Sequence, residues 1–349
     1  MPLVPLQADI LGPDYRMETI SLPPDAEGPV VATLVTLRPS RPNGRAVLHV
    51  HGFADYFFHT EYAEWWAARG YTVYALDLRK YGRSLREHQT PNYVASLDEY
   101  HAEIDLAWWR ITQRDGHREV IASGHSTGGL TLPLWVRARR PAELVAMVLN
   151  SPWFDMQGPA WLRGPAARAA IERIGTSRPM QQIPRRISGV YGRSLHRDHG
   201  GEWDYDLAWK PLESRPVYVG WLRAVRRGHA MLHAGLDIDC PTLVLSSARS
   251  WFGQQTPETA ASHDIVLDVR QIRHWASSVG RHVTSVAIEG AMHDVVLSRS
   301  EPRAQAYAAI ATWLDAWVTP ASEQQAPPAG PSDQQDHQRD DADHDDHGA

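Results

Sequence analysis

Gly124-His125-Ser126-Thr127-Gly128 joins an apolar segment over 120–124, which we predict to be a strand, to a predicted helix over 128–139. A serine on a sharp turn between a strand and a helix has an exposed hydroxyl. The amide that follows the serine and the N-terminus of the helix favour a developing negative charge. The segment therefore predicts Ser126 as a nucleophile and the Thr127 amide as one donor of an oxyanion hole.

Two further predicted strand ends carry the groups that such a nucleophile requires. A predicted strand over 283–288 leads into a loop that contains His293, the candidate general base, and a predicted helix over 301–318 follows. Upstream, a predicted strand over 46–50 ends at His51-Gly52-Phe53, where the Phe53 amide could complete the oxyanion hole. The chain order is oxyanion loop, serine, acid and histidine, which is the order of the α/β-hydrolases.

Four motifs at predicted strand ends are His51-Gly52-Phe53, Leu76-Asp77-Leu78-Arg79-Lys80-Tyr81-Gly82-Arg83-Ser84, Gly124-His125-Ser126-Thr127-Gly128-Gly129 and Glu289-Gly290-Ala291-Met292-His293. With these motifs the chain resembles the monoglyceride lipase and lysophospholipase branch of the α/β-hydrolases, often described as serine aminopeptidase-like. The resemblance covers about residues 30–154 and 236–318. It implies that Ser126 is the nucleophile, that His293 is the base, and that the Phe53 and Thr127 amides form the oxyanion hole.

The acid of the predicted triad is the point at which this sequence departs from the family pattern. Relatives usually carry it in a Gly-Ser-x-Asp turn after the strand that corresponds to 242–247, and that turn is missing here. We predict Asp264, because it begins a segment like the family's Asp-Arg-apolar-apolar run and directly precedes a predicted helix over 267–278. Three acids compete with it, namely Asp268, Glu258 and Asp155.

Strands and helices alternate along the first half of the chain, which predicts an α/β fold with a mostly parallel sheet covered by helices on both faces. We expect the first strand or two to pair antiparallel at one edge. The resemblance implies that this is the α/β-hydrolase fold. Predicted strands cover 30–37, 46–50, 72–78, 120–124, 145–150, 242–247 and 283–288, and predicted helices cover 61–69, 97–114, 128–139, 165–174, 219–234, 267–278 and 301–318.

Three parts are predicted from composition. Residues 1–154 and 236–320 form the core, and residues 155–235, which interrupt the alternation, form a lid over Ser126. The lid tryptophans either line an apolar acyl pocket or only bury the lid against the core. The tail over 321–349 is rich in Pro, Gln, Asp and His, and we expect it to be disordered. The four tryptophans are Trp161, Trp203, Trp209 and Trp221.

Charge and composition exclude several classes of partner. The chain has a net charge of −6, and since the tail alone carries −7, the rest is near +1 and has no basic stripe for nucleic acid. No apolar run is long enough for a membrane span, so lipid contact would be transient and through the lid. The single cysteine, Cys240, and the absence of a signal-like N-terminus favour a cytoplasmic location. The sequence predicts no oligomeric state.

The predicted activity is hydrolysis of carboxylic esters through an acyl-enzyme, without cofactor or metal. The resemblance implies single-chain acyl esters such as monoacylglycerols or lysophospholipids as substrates. An aminopeptidase or amidase is the alternative within hydrolases, with an amine site among the lid acids. A non-catalytic binding protein on the same fold is the alternative from another class. Asp77 and Arg79 are expected to form a charged pair that fixes the loop to Ser84.

Overall fold

The computed structural model describes residues 6–184 and 189–318, and within them nine strands form one sheet in the order β1-β2-β3-β5-β4-β6-β7-β8-β9. Strands β1, β2, β3 and β5 pair antiparallel, and every pair from β5 and β4 onwards is parallel. The strands are β1 (Gln7–Asp9), β2 (Gly12–Asp25), β3 (Gly28–Leu37), β4 (Ala46–Val50), β5 (Thr72–Asp77), β6 (Val120–His125), β7 (Leu144–Asn150), β8 (Thr242–Ser247) and β9 (Val283–Ile288).

The helices cover both faces of this sheet, which confirms the predicted fold class. They are α1 (Thr60–Ala68), α2 (His101–Trp109), α3 (Gly128–Arg139), α4 (Pro165–Ser177), α5 (Val190–Leu195), α6 (Val219–His233), α7 (Pro257–Ser262), α8 (Val269–Ala276) and α9 (Ser300–Trp317). A π-helical turn over Arg110–Arg114 extends α2. The predicted disordered tail over 321–349 lies outside the described residues.

Two apolar cores lie on opposite faces of the sheet, because successive side chains of a strand point in opposite directions. In β4, Leu48 belongs to the core under α2, α3 and α8, whereas Val47 belongs to the core under α1 and α9. All five residues of β4 are buried, as expected for a strand covered on both sides. Because strands β5, β4, β6, β7, β8 and β9 are parallel, their carboxyl ends lie at one edge of the sheet, and Ser126 follows β6 at that edge.

The chain between β7 and β8 contains α4, α5 and α6, and its tryptophans differ in their surroundings. Trp221 is buried and its ring centroid lies 4.3 Å from that of Phe53. Trp209 packs edge-on against Tyr56, and the Trp203 indole donates a hydrogen bond to a backbone carbonyl. Trp161 is 69% exposed, so this side chain neither lines an interior pocket nor anchors the segment.

The expected pair between Asp77 and Arg79 is wrong. Arg79 instead forms a buried ion pair with Glu103 of α2, with 2.7 Å between Nη2 and Oε2. Asp77 accepts a hydrogen bond from the Arg83 guanidinium, and its backbone carbonyl accepts one from Ser84 Oγ. Asp77 thus fixes the loop to Ser84 as expected, but its ion-pair partner is Arg83 instead of Arg79.

Candidate active site

Ser126 lies at the turn between β6 and α3 in a backbone conformation that serine rarely adopts. Its φ angle is +52°, in the left-handed region that is strained for a residue with a Cβ. The surroundings hold it there, because Ser126 N donates to Asn150 O at 3.0 Å and Trp153 N donates to Ser126 O at 2.9 Å. The side chain is only 7% exposed, so it lies beneath other parts of the chain.

Glycines around this turn allow the backbone segments to approach each other closely. A Cβ on Gly128 would collide with the carbonyl oxygens of Val50 and His51, although its φ angle is not unusual. A Cβ on Gly124 would lie 2.8 Å from the Gly128 carbonyl group, which also leaves no room for a side chain. The turn therefore depends on glycine for space.

We expect Gly128→Ala to destabilise the protein by about 2 kcal/mol or more, because overpacking against backbone cannot be relieved by a rotamer change. Without the collision, alanine at a helical position would instead stabilise the fold by roughly 1 kcal/mol. Gly116→Ala is the control. A Cβ on Gly116 would meet nothing within 4 Å, so this variant reports only the cost of placing a side chain on a backbone with a φ of +81°. Urea denaturation should therefore show a larger loss for Gly128→Ala, and a gain in stability would contradict this account of the turn.

The structure brings Ser126, His293 and Asp264 together in one chain of hydrogen bonds. Ser126 Oγ lies 3.1 Å from His293 Nε2, and His293 Nδ1 lies 2.9 Å from Asp264 Oδ2. All three side chains are buried. A serine hydroxyl, an imidazole and a carboxylate in this order can generate a nucleophile, because the imidazole accepts the serine proton while the carboxylate holds its other nitrogen.

Asp264 reaches this position through the segment that replaces the family turn. After β8 the chain passes through α7 and returns, and the backbone of Asp264 pairs with Arg249 and Trp251 at 2.9 Å each. Asp264 Oδ1 accepts hydrogen bonds from the amides of Val266 and Leu267 at 2.8 and 2.7 Å. These contacts fix the carboxylate at the end of β8 and leave Oδ2 for His293.

The competing acids have other partners. Asp155 forms a buried ion pair with Arg226, with 2.9 Å between Oδ1 and Nη1. Asp268 caps α8, where its side chain accepts a hydrogen bond from the Arg270 amide. Glu258 is exposed on α7. Of the four acids considered from the sequence, Asp264 is the one that contacts His293.

The loop after β4 lies against the nucleophile. A Cβ on Gly52 would be 3.1 Å from Ser126 Cβ, so the two backbones are in close contact. Phe53 follows directly, and its ring packs on Trp221 of α6. The loop that carries the Phe53 amide, the predicted oxyanion donor, therefore lies next to Ser126, and the Phe53 and Trp221 rings cover it.

A buried polar network fixes the loop that carries His293. Asp294 accepts hydrogen bonds from Asn150 Nδ2 at 2.6 Å and from His59 Nε2 at 2.9 Å. Asn150 Oδ1 also accepts one from the Val295 amide at 3.0 Å. Burial alone would raise the pKa of Asp294, but His125 and His59 beside it hold that pKa well below its usual range. The carboxylate thus stays ionised and positions the loop.

A second polar group adjoins the first, since His125 Nδ1 lies 3.5 Å from Asp294 Oδ2. Asp55 Oδ1 and Lys210 Nζ form a buried ion pair at 2.8 Å. Burial alone would raise the pKa of Asp55, but Lys210, His125 and His59 together hold that pKa well below its usual range. His125 Nδ1 lies 3.4 Å from Asp55 Oδ2, and its ring centroid lies 5.0 Å from that of His293. Tyr191 of α5 packs edge-on against His293 at 5.7 Å.

Four buried atoms of this second group have no hydrogen-bond partner among the described residues. They are the Tyr191 hydroxyl, Asp55 Oδ2 and both ring nitrogens of His125. Burial and the surrounding carboxylates raise the pKa of Tyr191 well above its usual value, so the hydroxyl keeps its proton. Unpaired buried polar atoms next to the proposed reacting groups are available to a polar part of a ligand.

Within residues 6–184 and 189–318, Asp55, His125 and Asp294 form the one group whose ligand atoms are close enough to hold a metal ion, all within 4.8 Å of one another. The ammonium of Lys210 already contacts Asp55, and a buried positive charge at that distance opposes a second cation. We therefore assign no metal to this group.

Sequence reasoning did not find Asp55, His59, Asp294, Tyr191 or Lys210 as parts of the site. His59 and Asp294 are 235 positions apart in the chain, so no local pattern connects them. The only signal was the pair of titratable residues at 293–294 in a predicted loop. His49 is buried on β4, where its Nδ1 is 3.1 Å from Ser123 Oγ.

The sheet order and the strand-to-helix turn define the class of the fold, which is that of the α/β-hydrolases. The family model described as serine aminopeptidase, S33, matches residues 41–300. The chain belongs to this hydrolase family, and the resemblance predicted from the four motifs is confirmed. Among the described helices, none combines the length and the apolar character that crossing a membrane requires.

Similar proteins come from the same branch. Phospholipase YtpA of Bacillus subtilis (strain 168) is 31% identical over 125 residues, which are 35% of this chain and 45% of that protein. The match thus spans less than half of this relative. A crystal structure of the monoacylglycerol lipase of Paleococcus ferrophilus has a TM-score of 0.59 at 20% identity, covering 81% of this chain and 98% of that one.

A further solved structure is a soluble variant of the monoglyceride lipase of Saccharomyces cerevisiae in complex with a substrate analogue. It has a TM-score of 0.63 at 15% identity and covers 91% of this chain and 100% of that one. At these identities the structural likeness concerns the fold. Family membership rests on the sequence model.

Proposed function

We propose that this protein is a serine hydrolase that cleaves carboxylic esters of single-chain acyl groups. The observation that carries the proposal is the continuous hydrogen-bond chain from Ser126 Oγ through His293 to Asp264. Ser126 is the nucleophile, His293 is the general base and then the general acid, and Asp264 holds the imidazole in the tautomer that accepts the serine proton. The names of the similar proteins, a phospholipase and two monoacylglycerol lipases, support this reaction class.

In the proposed mechanism, Ser126 Oγ attacks the ester carbonyl while its proton moves to His293 Nε2. The carbonyl oxygen becomes an oxyanion, for which we assign the amides of Phe53 and Thr127 as donors. His293 then protonates the leaving alcohol, and an acyl-enzyme on Ser126 remains. A water molecule, deprotonated by His293, hydrolyses this intermediate and releases the fatty acid.

The chain between β7 and β8 is the proposed lid, with the limits 155–235 expected from the sequence. Ser126 and His293 are 7% and 2% exposed, so little of either residue is open to solvent while the surrounding segments keep these positions. Trp221 and Tyr191 contribute part of this cover from α6 and α5. We infer that substrate enters when the lid moves away, as lids of many enzymes do.

Phe53, Trp153 and Trp221 form an aromatic wall close to Ser126. The ring of Trp221 lies 4.3 Å from that of Phe53 and 5.8 Å from that of Trp153. Such a wall suits an apolar acyl chain. The polar atoms of Tyr191 and His125 lie against His293 instead, and they suit the hydroxyl groups of a glyceryl leaving group. This division favours monoacylglycerols over simple alkyl esters.

Tyr191→Phe tests the polar side of this arrangement. Removing a hydroxyl that binds the leaving group should lower kcat/KM for a monoacylglycerol about three- to tenfold, the usual range for one hydrogen bond. Hydrolysis of a p-nitrophenyl ester of the same acyl length should be nearly unchanged, because its leaving group has no hydroxyls to bind.

Tyr307→Phe is the matched control, because this buried hydroxyl also has no partner among the described residues and its ring packs on Trp65 instead of His293. It should affect neither substrate. Equal losses on both substrates for Tyr191→Phe would mean that the hydroxyl acts on His293 or the fold instead of on the leaving group.

Assays of the purified protein on two substrate classes distinguish the two alternative functions. Hydrolysis of aminoacyl p-nitroanilides without hydrolysis of esters would establish the aminopeptidase hypothesis. The lid acids expected to supply its amine site are Glu202, Asp204 and Asp206. All three are exposed, and Glu202 pairs with Arg303. Activity on neither substrate class would favour a binding protein. The cytoplasmic location stays an expectation from the single cysteine.

A further inference from the structure

Lys210 of the proposed lid reaches into the oxyanion loop, residues 53–58, which begins with the predicted oxyanion donor Phe53. Its ammonium nitrogen lies 2.8 Å from Oδ1 of Asp55, and the two side chains are only 9% and 2% exposed. Lys210 and Asp55 are 155 positions apart in the chain. The ion pair therefore exists only because the lid folds back over the oxyanion loop.

The surroundings of the Lys210 ammonium are aromatic. The ring centroids of Phe58, Tyr191 and Tyr205 lie 5.6, 5.9 and 5.8 Å from Lys210 Nζ. Lysine is almost never fully buried unless it is paired. The cost of removing two charges from water offsets most of their attraction, so a buried ion pair is weak evidence for stability. A role in fixing a geometry accounts better for a buried lysine on a lid.

The oxyanion loop contains a residue with a strained backbone. Ala54, between Phe53 and Asp55, has a φ angle of +50°, in the left-handed region that a residue with a Cβ rarely adopts. Such a conformation persists only where the surrounding structure holds it. Residues 53–58 belong to no helix and no strand, so regular backbone pairing does not supply this support.

Contacts on both sides of this strained residue hold it in place. Upstream, His51 Nδ1 lies 2.8 Å from the carbonyl oxygen of Gly52. Downstream, Lys210 holds the carboxylate of Asp55. The first contact belongs to the core, whereas the second is supplied by the lid.

The same short segment of the lid, residues 205–210, contacts the oxyanion loop at two further positions. The Asp206 amide donates a hydrogen bond to the Tyr56 hydroxyl at 2.7 Å, and the ring of Trp209 packs edge-on against that of Tyr56 at 5.1 Å. The rings of Tyr205 and Phe58 lie 4.8 Å apart. Lys210 is thus part of a continuous contact between lid and loop.

We propose that Lys210 is a positioning residue of the oxyanion hole: by holding Asp55 it fixes the strained backbone at Ala54, and with it the Phe53 amide. The inference rests on the proposed ester hydrolysis and on the assignment of that amide as a donor. It implies that the oxyanion hole is complete only while the lid contacts the loop. Lys210 then acts on the attack at the carbonyl, where negative charge develops, and not on the binding of the ester.

Lys210→Met tests the proposal, because methionine is close to lysine in length and carries no charge. We expect kcat for p-nitrophenyl butyrate to fall about tenfold or more, which is part of the loss of about a hundredfold or more that follows removal of an oxyanion donor. KM should change by less than about threefold, because the lost interaction forms only in the transition state.

A second variant keeps the test valid if the single substitution impairs folding. Removal of one partner from a buried ion pair leaves an unpaired buried charge, which is strongly destabilising. Lys210→Met combined with Asp55→Asn removes both charges. This double variant should unfold at nearly the same urea concentration as the wild type, and it should still show the loss in kcat.

The thionoester analogue of the substrate, in which sulfur replaces the carbonyl oxygen, separates a defect in the oxyanion hole from other defects. Sulfur accepts hydrogen bonds weakly, so hydrolysis of the thionoester depends little on the oxyanion donors. In both variants the ratio of the ester rate to the thionoester rate should fall at least about fivefold below that of the wild type. Equal losses on the two substrates would mean that Lys210 acts on the triad or on the fold, and would overturn the proposal.

Arg303→Gln is the matched control. Arg303 of α9 forms an ion pair with Glu202 of the lid at 2.9 Å, and its side chain is 13% exposed. Its other polar partners, Glu61 and the Ser298 carbonyl, lie outside the oxyanion loop. The variant should keep the wild-type ratio of rates. A fall in this ratio as large as that in Lys210→Met would mean that any weakening of the lid has the same effect, and would contradict the assignment to Lys210.

The wild type and Ser126→Ala, assayed in parallel, separate this proposal from the proposed function. Wild-type hydrolysis no faster than that of Ser126→Ala would contradict the proposed function, and the role of Lys210 with it. Wild-type hydrolysis well above that of Ser126→Ala, with an unchanged ratio of rates in both Lys210 variants, would contradict only the role of Lys210.

Discussion

Replacing Ser126 by alanine should abolish ester hydrolysis, with a loss of roughly 10⁶-fold in kcat when the nucleophile of such a triad is removed. The reason is chemical, because no other hydroxyl is in contact with His293 Nε2 in the described residues. Replacing serine by alanine removes one oxygen atom and adds no atom that could collide with a neighbour. The variant should therefore fold and bind substrate. The measurement is the hydrolysis of p-nitrophenyl esters from acetate to palmitate by wild type and variant.

Ser123→Ala is a suitable control for this experiment. Ser123 lies on the same strand, and its hydroxyl contacts His49 and Tyr62 instead of His293. It should retain most of the activity. Residual activity of Ser126→Ala within tenfold of wild type would mean that the hydrolysis comes from another group, and the proposed mechanism would then be wrong.

The second large effect is expected for Asp264→Asn, with a loss of about 10⁴-fold in kcat. The amides of Val266 and Leu267 both donate to Oδ1 of Asp264, so the asparagine oxygen should remain there. The amide nitrogen would then face His293 Nδ1 and, as a donor, would force the proton onto Nε2. In that tautomer the imidazole cannot accept the proton of Ser126.

The other acids provide the comparison. Asp268→Asn should cost about 1 kcal/mol of stability or less, because asparagine also caps helices, and should leave hydrolysis nearly intact. Asp155→Asn should weaken the ion pair with Arg226 without a comparable loss of activity. A loss below tenfold for Asp264→Asn, or a larger loss for Asp155→Asn, would assign the acid elsewhere.

Much of the fold could be predicted because its strands are apolar runs bounded by turns. The predicted strands over 46–50, 242–247 and 283–288 and the helix over 128–139 have the bounds that the structure shows. The predicted helix over 267–278 is shorter, at Val269–Ala276, because Asp268 caps its start.

Strand β2 was missed because its sequence is half polar. It lies near the antiparallel edge, where one face is partly solvated and alternate residues such as Asp14 and Arg16 are exposed. Its buried Glu18 forms ion pairs with Arg110 and Arg114 of the π-helical turn that extends α2. No local sequence pattern predicts these pairs. Pairing between distant segments, and not propensity, makes this segment a strand.

The same limit applies to the site. Ser126 and His293 are recognisable because each follows a predicted strand in the expected order. Asp264 could be ranked first among four acids, but its position depends on the backbone pairing with Arg249 and Trp251. That pairing closes a long insertion, and it cannot be read from the residues on either side.

The central claim is that Ser126 is an activated nucleophile. Labelling with a fluorophosphonate, followed by intact mass and peptide mapping, tests this most directly and does not depend on the identity of the substrate. We expect one adduct per chain, located on Ser126 in the wild type, absent in Ser126→Ala and formed much more slowly in Asp264→Asn. An unlabelled wild-type protein, or an adduct at another residue, would contradict the claim.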